Sequence, residues 1–145
     1  MIRRYGEAVQ PGKPYRKRPG AYAVIARGDA VLLTHQAFPR SEFQLPGGGI
    51  DPGESPYQAL RREVIEETGW SISGLRKLGV YRRFVFMPEY DMWAEKIAHV
   101  FLARPVRAQS KPSEHGHTAV WTSAKTAIDL LANEGDRTFV RRHFI

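Results

Sequence analysis

The sequence predicts an α/β fold in which helices cover both faces of a mixed sheet. Three observations carry this. Segments rich in β-formers lie on both sides of one strongly capped helix, and a second helical stretch closes the chain, the order strands, helix, strands, helix. At 145 residues the chain has the length of one domain, which buries roughly two thirds of its unfolded surface. Hydrophobic residues make up 42% and charges are interspersed among them, so the chain is expected to fold and stay soluble, with no apolar run long enough to span a membrane.

Residues 1–18 are polar, basic and punctuated by proline and glycine, and read as an arm or an edge strand ahead of one domain at 19–145. Strands are expected at Ala21–Ala26 and Val31–Thr34, joined by the turn Arg27-Gly28-Asp29. A short strand, Glu42–Leu45, leads into Leu45-Pro46-Gly47-Gly48-Gly49, where three glycines let the backbone turn tightly and approach a ligand. Ser55-Pro56-Tyr57-Gln58 starts a helix: serine as N-cap, proline at the first position and glutamine completing a capping box. Gly69 ends that helix, giving Pro56–Thr68. Leu75–Phe86 and Lys96–Ala103 then form a long hairpin around the loop Met87–Asp91. His117–Trp121 reads as a strand, Ser123–Ala132 as a helix, and Asp136–His143 as a terminal helix cut off by Gly135.

The central helix carries the chemistry. Tyr57, Leu60, Val64 and Thr68 follow the spacing of a buried stripe, while Ala59, Glu63, Glu66 and Glu67 fall on an adjoining face. The carboxylates repel one another and sit near the helix C-terminus, where the macrodipole also disfavours them. Arg62 alone cannot neutralise them, and an oxygen-rich cluster of this kind suits a hard divalent cation. A charge run is ordinarily a solvated helix face. The glycine loop immediately upstream argues for a ligand instead.

From Gly48 to Trp70 the residues Gly48, Glu54, Arg62, Glu63, Glu66, Glu67 and Gly69 resemble the Nudix box, G-x5-E-x7-R-E-U-x-E-E-x-G-U, with Trp70 where a bulky aliphatic residue is usual. A chance match at those positions has a probability on the order of one in a million. The resemblance, over about Gly20 to Phe144, implies a MutT-like Nudix α/β/α sandwich with a mixed sheet between helices. It implies Mg2+, or Mn2+, held by the Gly47 carbonyl with Glu63, Glu66 and Glu67. It also implies that Arg62 orients its neighbours, that Glu54 supports loop and helix electrostatically, and that a diphosphate linkage is hydrolysed by water attack on phosphorus. Glu63 is the leading candidate for the base. Some members take the base from a loop before the last strand, which here makes Glu114 the second candidate; His115 and His117 in that region read as surface or strand-edge residues.

Net charge is +7, with basic clusters at Lys13–Arg18, Arg82-Arg83 and Arg141-Arg142, a balance that attracts phosphate-rich small molecules. No recognition-helix or RNA-binding signature accompanies them, so nucleic acid ranks below a nucleotide as partner. No cysteine is present, which excludes disulfides and thiol nucleophiles. Met1-Ile2-Arg3-Arg4 is basic without a following apolar stretch, so the expected compartment is cytoplasmic. Arg18, Arg82 and Tyr90 are the candidate substrate contacts. Tyr90 lies near the place of a base-stacking tyrosine in diadenosine-polyphosphate hydrolases. Arg18-Pro-Gly-Ala21 with the glycine loop is similar to diphosphoinositol-polyphosphate hydrolases. Dinucleoside polyphosphates and nucleoside triphosphates are therefore the expected substrates, diphosphoinositol polyphosphates the alternative; a non-catalytic nucleotide-binding module would show erosion of Glu63, Glu66 or Glu67, and none is eroded. Tyr81, Phe84, Phe86, Tyr90 and Trp93 read as core or as a stacking platform.

Overall fold

The computed structural model describes residues 2–144; Met1 and Ile145 lie outside them. Eight strands form one mixed framework in two parts. The larger part has the order β1 (Arg3–Tyr5), β6 (Trp70–Met87), β7 (Met92–Ala108), β2 (Arg16–Arg27), β5 (Gly47–Gly49). The smaller has the order β4 (Glu42–Gln44), β3 (Ala30–Gln36), β8 (His117–Ser123). The β2–β3 hairpin joins them by pairing Ala26 with Val31. β1 on β6 and β2 on β7 are parallel, and the remaining pairs antiparallel. Along β2 successive side chains face opposite ways. Ala21, Ala23 and Ile25, with Leu32, pack beneath Leu60 and Val64 of helix α1 (Pro56–Thr68). Val24, Val31 and Leu33 pack instead with Leu131 and with Phe139 and Val140 of helix α3 (Glu134–Phe144), beside the short helix α2 (Ala124–Leu130). The sheet therefore lies between helices. None of the helices among the described residues is long and apolar enough to cross a membrane.

Four expectations need correction. β2 begins at Arg16 rather than Ala21, because Arg16 to Ile25 pair residue by residue with Ala94 to Ala103, and this ladder satisfies a basic, proline-containing segment that has no strand-like pattern. β6 and β7 outrun their expected bounds for the same reason and meet at Met87 and Met92, across a 3-10 turn, Pro88–Tyr90. The triglycine is a strand, pairing Gly20 with Gly49, Ala21 with Gly48 and Tyr22 with Gly47. Gly135 lies inside α3 instead of cutting it off. A side chain there would run into the Tyr81 ring, so this glycine serves close packing.

Candidate metal and catalytic centre

Helix α1 is fixed at both ends by its own sequence. Ser55 Oγ accepts from Gln58 N at 3.1 Å, and Gln58 Oε1 accepts from Ser55 N at 2.8 Å. Gly69 takes φ +78° and donates to Ile65 O at 2.8 Å. Caps of this kind stabilise by about 1 kcal/mol each. They also set the rotation of the helix, and so which carboxylates meet the glycine strand. Two positions differ from the expected stripe: Tyr57 is 47% exposed, its ring tilted against Phe101, whereas Glu67 is buried at 5%. Trp70, the departure from the box pattern, packs edge-on against Trp121 with the Arg27 guanidinium over both rings, so this position accepts an aromatic.

Arg62 is the hub of the first turns. Its Nε donates to Glu54 Oε2 at 2.7 Å and its Nη2 to Glu54 Oε1 at 2.8 Å, a bidentate pair. The same guanidinium donates to the Gly49 carbonyl at 3.1 Å and to Glu63 Oε1 at 2.9 Å, and reaches Glu66 Oε2 at 3.4 Å. Glu54 also accepts from Asp51 N at 2.9 Å, and these donors hold its carboxyl down at about 2. Glu54 and Arg62 thus tie the loop to the helix.

Further along α1 the carboxylates lie in a different setting. Glu67 Oε1 accepts from Gly47 N at 2.9 Å. Burial raises the Glu67 pKa well above the ordinary carboxylate value, and the charges of Glu63, Glu114 and Glu66 push it further up. Burial likewise lifts Glu63 to about 7, against the pull of Arg62. The glycine strand admits these groups closely. A Cβ at Gly48 would fall 2.5 Å from the Glu63 carboxyl carbon, and one at Gly47, whose φ is +145°, would collide with the Ala21 carbonyl. Glu114 arrives from the loop before β8. That loop is tied to α1, since Ser113 N and Glu114 N both donate to the Glu66 carbonyl, at 2.8 and 2.9 Å.

Two sets of potential ligand atoms result, Glu63 with Glu66 and Glu114, and Glu67 with Glu114 and His117, each within 4.8 Å of one another. His117, expected at the surface or a strand edge, is the first residue of β8 and is turned inward: its side chain is 10% exposed, with Nδ1 2.9 Å from Thr34 Oγ1 and 3.7 Å from Glu67 Oε2. Neither hydrophobic periodicity nor spacing marks it in the sequence. Burial lowers its pKa, so it favours the neutral form in which imidazole can coordinate. The donor set fits a divalent cation, because buried like charges that resist ionisation are the groups such an ion stabilises.

On the opposite side of the larger sheet a cleft opens beside Tyr22, whose ring lies along Gly47. Gln44, Arg83 and Lys96 line it, and it continues into a cavity of about 190 Å³ bounded by Gln36, Glu42 and Phe86. Burial lowers the Lys96 pKa, with the Arg83 charge adding to the effect. Arg83, not its neighbour Arg82, enters this cleft. The Arg82 guanidinium lies over Phe84 and pairs with Glu95 at 3.4 Å. Tyr90 is 57% exposed on the 3-10 turn with the Arg18 guanidinium over its ring at 4.9 Å, away from the carboxylates. Tyr81 and Phe84 are core residues.

Comparison with known proteins places this geometry. A NUDIX hydrolase from Nitrosomonas europaea superposes with a TM-score of 0.71 at 24% identity, covering 88% of each chain. A MutT NUDIX hydrolase from Burkholderia pseudomallei superposes at 0.68 and 22% identity, over 87% of this chain and 97% of that one. Among curated proteins, the chain is 35% identical over 74 residues to a putative 8-oxo-dGTP diphosphatase of Bacillus subtilis, which is 51% of this chain and 50% of that protein. It is 35% identical over 119 residues to the RNA pyrophosphohydrolase of Yersinia pestis (strain Pestoides F), 82% of this chain and 59% of that one. The chain thus spans between half and three fifths of the length of these curated relatives. The family model described as NUDIX domain matches residues 16–143, from the first residue of β2 to the last turn of α3, and the chain belongs to that family.

Proposed function

We propose that this protein is a divalent-metal-dependent hydrolase of a phosphoanhydride bond in a nucleotide, with nucleoside triphosphates as the leading substrate class. The convergence of Glu63, Glu66, Glu67 and Glu114 on the glycine strand carries this reading. The Gly47 carbonyl, Glu63, Glu66 and Glu67 would hold the metal. Bound there, Mg2+ or Mn2+ would neutralise phosphate oxygens and make water more acidic. Glu63 is the leading candidate to take the proton from the attacking water, with its carboxylate oriented by Arg62. Glu54 keeps Arg62 in place through two short hydrogen bonds, so Arg62 acts by positioning. Arg83, Lys96 and Gln44 line the cleft in which the rest of the nucleotide would lie.

A relative named for 8-oxo-dGTP, a nucleoside triphosphate, favours that class over dinucleoside polyphosphates. The test is phosphate or pyrophosphate release from nucleoside triphosphates, diadenosine tetraphosphate, ADP-ribose and a diphosphoinositol phosphate, with and without Mg2+. Mg2+-dependent release from the triphosphates is expected. No release from any member of the panel would leave a binding module. Within the same assay, Glu63→Gln is expected to lower turnover by about a hundredfold or more and to abolish the acid limb of the pH profile, and Glu114→Gln to lower it less. The reverse order would make Glu114 the base.

A further inference from the structure

We propose that the floor of the cleft beside Tyr22 is an anion site, separate from the carboxylate cluster, in which Arg83 and Lys96 hold a phosphate group that does not belong to the scissile anhydride. Strand register brings the two cations together. Arg83 on β6 stands directly opposite Lys96 on β7, and residues paired in this way point to the same side of a sheet. Both line the cleft and both are half-buried. Like charges at facing positions weaken a sheet, and partial shielding from water strengthens their repulsion. No ion pair offsets it. Among the described residues the side-chain ion pairs belong to Arg62, Arg82 and His117, and no carboxylate oxygen comes within 4.0 Å of the Arg83 or Lys96 nitrogens. Arg18, which pairs with Lys96 from β2, lays its guanidinium over the Tyr90 ring instead.

The acceptors around the cleft are already engaged. Asp136 Oδ1 lies 2.6 Å from Tyr81 OH, and its Oδ2 accepts from Leu45 N at 3.2 Å. Asn133 Oδ1 accepts from Asp136 N at 2.8 Å, and Glu42 Oε1 accepts from Gln36 Nε2 and Gln44 Nε2 at 3.1 and 2.8 Å. Glu7 and Glu89, on the walls of the adjoining cavity, are exposed to water. What remains for a ligand is a guanidinium, an ammonium and the Asn133 amide, with Gln44 Oε1 beside them. Phosphate oxygens accept only, and they carry the charge that cancels the repulsion between the two cations. A neutral nucleobase edge would leave that repulsion in place. The site lies on the Tyr22 face of β2, opposite the Ala21 and Gly48 face that meets Glu63. Lys96 is level with Arg18 and Gly47 with Tyr22, four residues or about 13 Å further along β2. The anion has two sources, free orthophosphate or a phosphate ester on the sugar of a bound nucleotide. Only its role during turnover rests on the hydrolase reading; its binding does not.

The test titrates orthophosphate into the protein in EDTA, so that no metal contributes, and follows the heat of binding. Saturable binding is expected, weakened about tenfold or more by Arg83→Gln and by Lys96→Met. Arg82→Gln, next in sequence but paired with Glu95 outside the cleft, should leave it unchanged. Melting temperature supplies a readout of opposite sign. In phosphate-free buffer Lys96→Met relieves the repulsion and should melt at or above the wild type, while phosphate should raise the melting temperature of the wild type alone. A lysine kept for the fold would give a lower melting temperature on substitution and no phosphate effect, which would overturn the proposal. Adenosine 3′,5′-bisphosphate separates the sources: binding about tenfold tighter than orthophosphate assigns the anion to the nucleotide, and equal affinity assigns it to free phosphate. No orthophosphate binding, binding that ignores both cleft substitutions, or equally tight binding of uncharged adenosine would refute the site. Phosphate binding of the expected kind in a protein that hydrolyses no triphosphate would sink the hydrolase reading and leave this one standing.

Discussion

The two ends of α1 treat their carboxylates in opposite ways. Glu54, ahead of the helix, is part-buried against a bidentate guanidinium and is held at about 2, permanently charged. Glu63 and Glu67, on the later turns, are largely shielded from water and resist ionisation, Glu63 to about 7 and Glu67 well beyond the ordinary range. One arginine serves both ends but spends its best geometry on Glu54. The difference separates a carboxylate that holds structure from carboxylates left short of positive charge. A site short of cations invites one from outside.

Glu67 is the position most sensitive to substitution. Glu67→Gln keeps an acceptor for Gly47 N, so the fold should persist in far-UV circular dichroism. Turnover at saturating Mg2+ should fall about a thousandfold, and calorimetric Mg2+ binding should weaken in parallel. Wild-type turnover in this variant would remove Glu67 from the proposed metal site.

A middle-sized effect belongs to the structural end. Glu54→Gln loses the charge that fixes Arg62, so turnover should drop about tenfold with Mg2+ affinity nearly unchanged, as expected for a residue that acts through another. A loss equal to that of Glu67→Gln would show that the two ends do not divide their work in this way.

The smallest effect sharpens the contrast through pH. Glu63 has a folded pKa of about 7 against an ordinary 4.5, so the unfolded chain gives up that proton first as pH rises. Its contribution to stability is complete below about 4.5 and is lost as pH climbs through about 7. Glu67 and Asp136, raised by burial, act in the same direction. Glu54 has the opposite sign: its contribution holds above 4.5 and is lost as pH falls toward 2. Metal-free protein should therefore melt about 5 °C lower at pH 8 than at pH 5, and Mg2+ should erase the difference. A metal-free melting temperature that rises over that interval would contradict the assigned shifts.

What the sequence disclosed was local. The caps of α1, its span and the box residues follow from short-range rules that hold whatever surrounds them, since Ser55, Gln58 and Gly69 satisfy their own helix ends. Positions decided by distant partners stayed hidden. Arg16-Lys17-Arg18-Pro19 has no strand pattern, and becomes a strand because β7 lies alongside it. Gly135 reads as a helix breaker, and is needed because the Tyr81 ring occupies the space a side chain would fill. His117 and Thr34 meet across the β3–β8 ladder, far apart in the chain, and Arg83 reaches the cleft only because β6 turns alternate residues to opposite faces.

The two amide donors that tether the Ser113-Glu114 segment to the Glu66 carbonyl make the last turn of α1 and the loop before β8 a single mechanical unit. Any insertion that lets the loop drift, or any fraying that frees this carbonyl, would carry Glu114 out of range of both ligand sets at once. Exchanging the loop for one of different length would thus alter the candidate ion site too, unless the two donors are preserved.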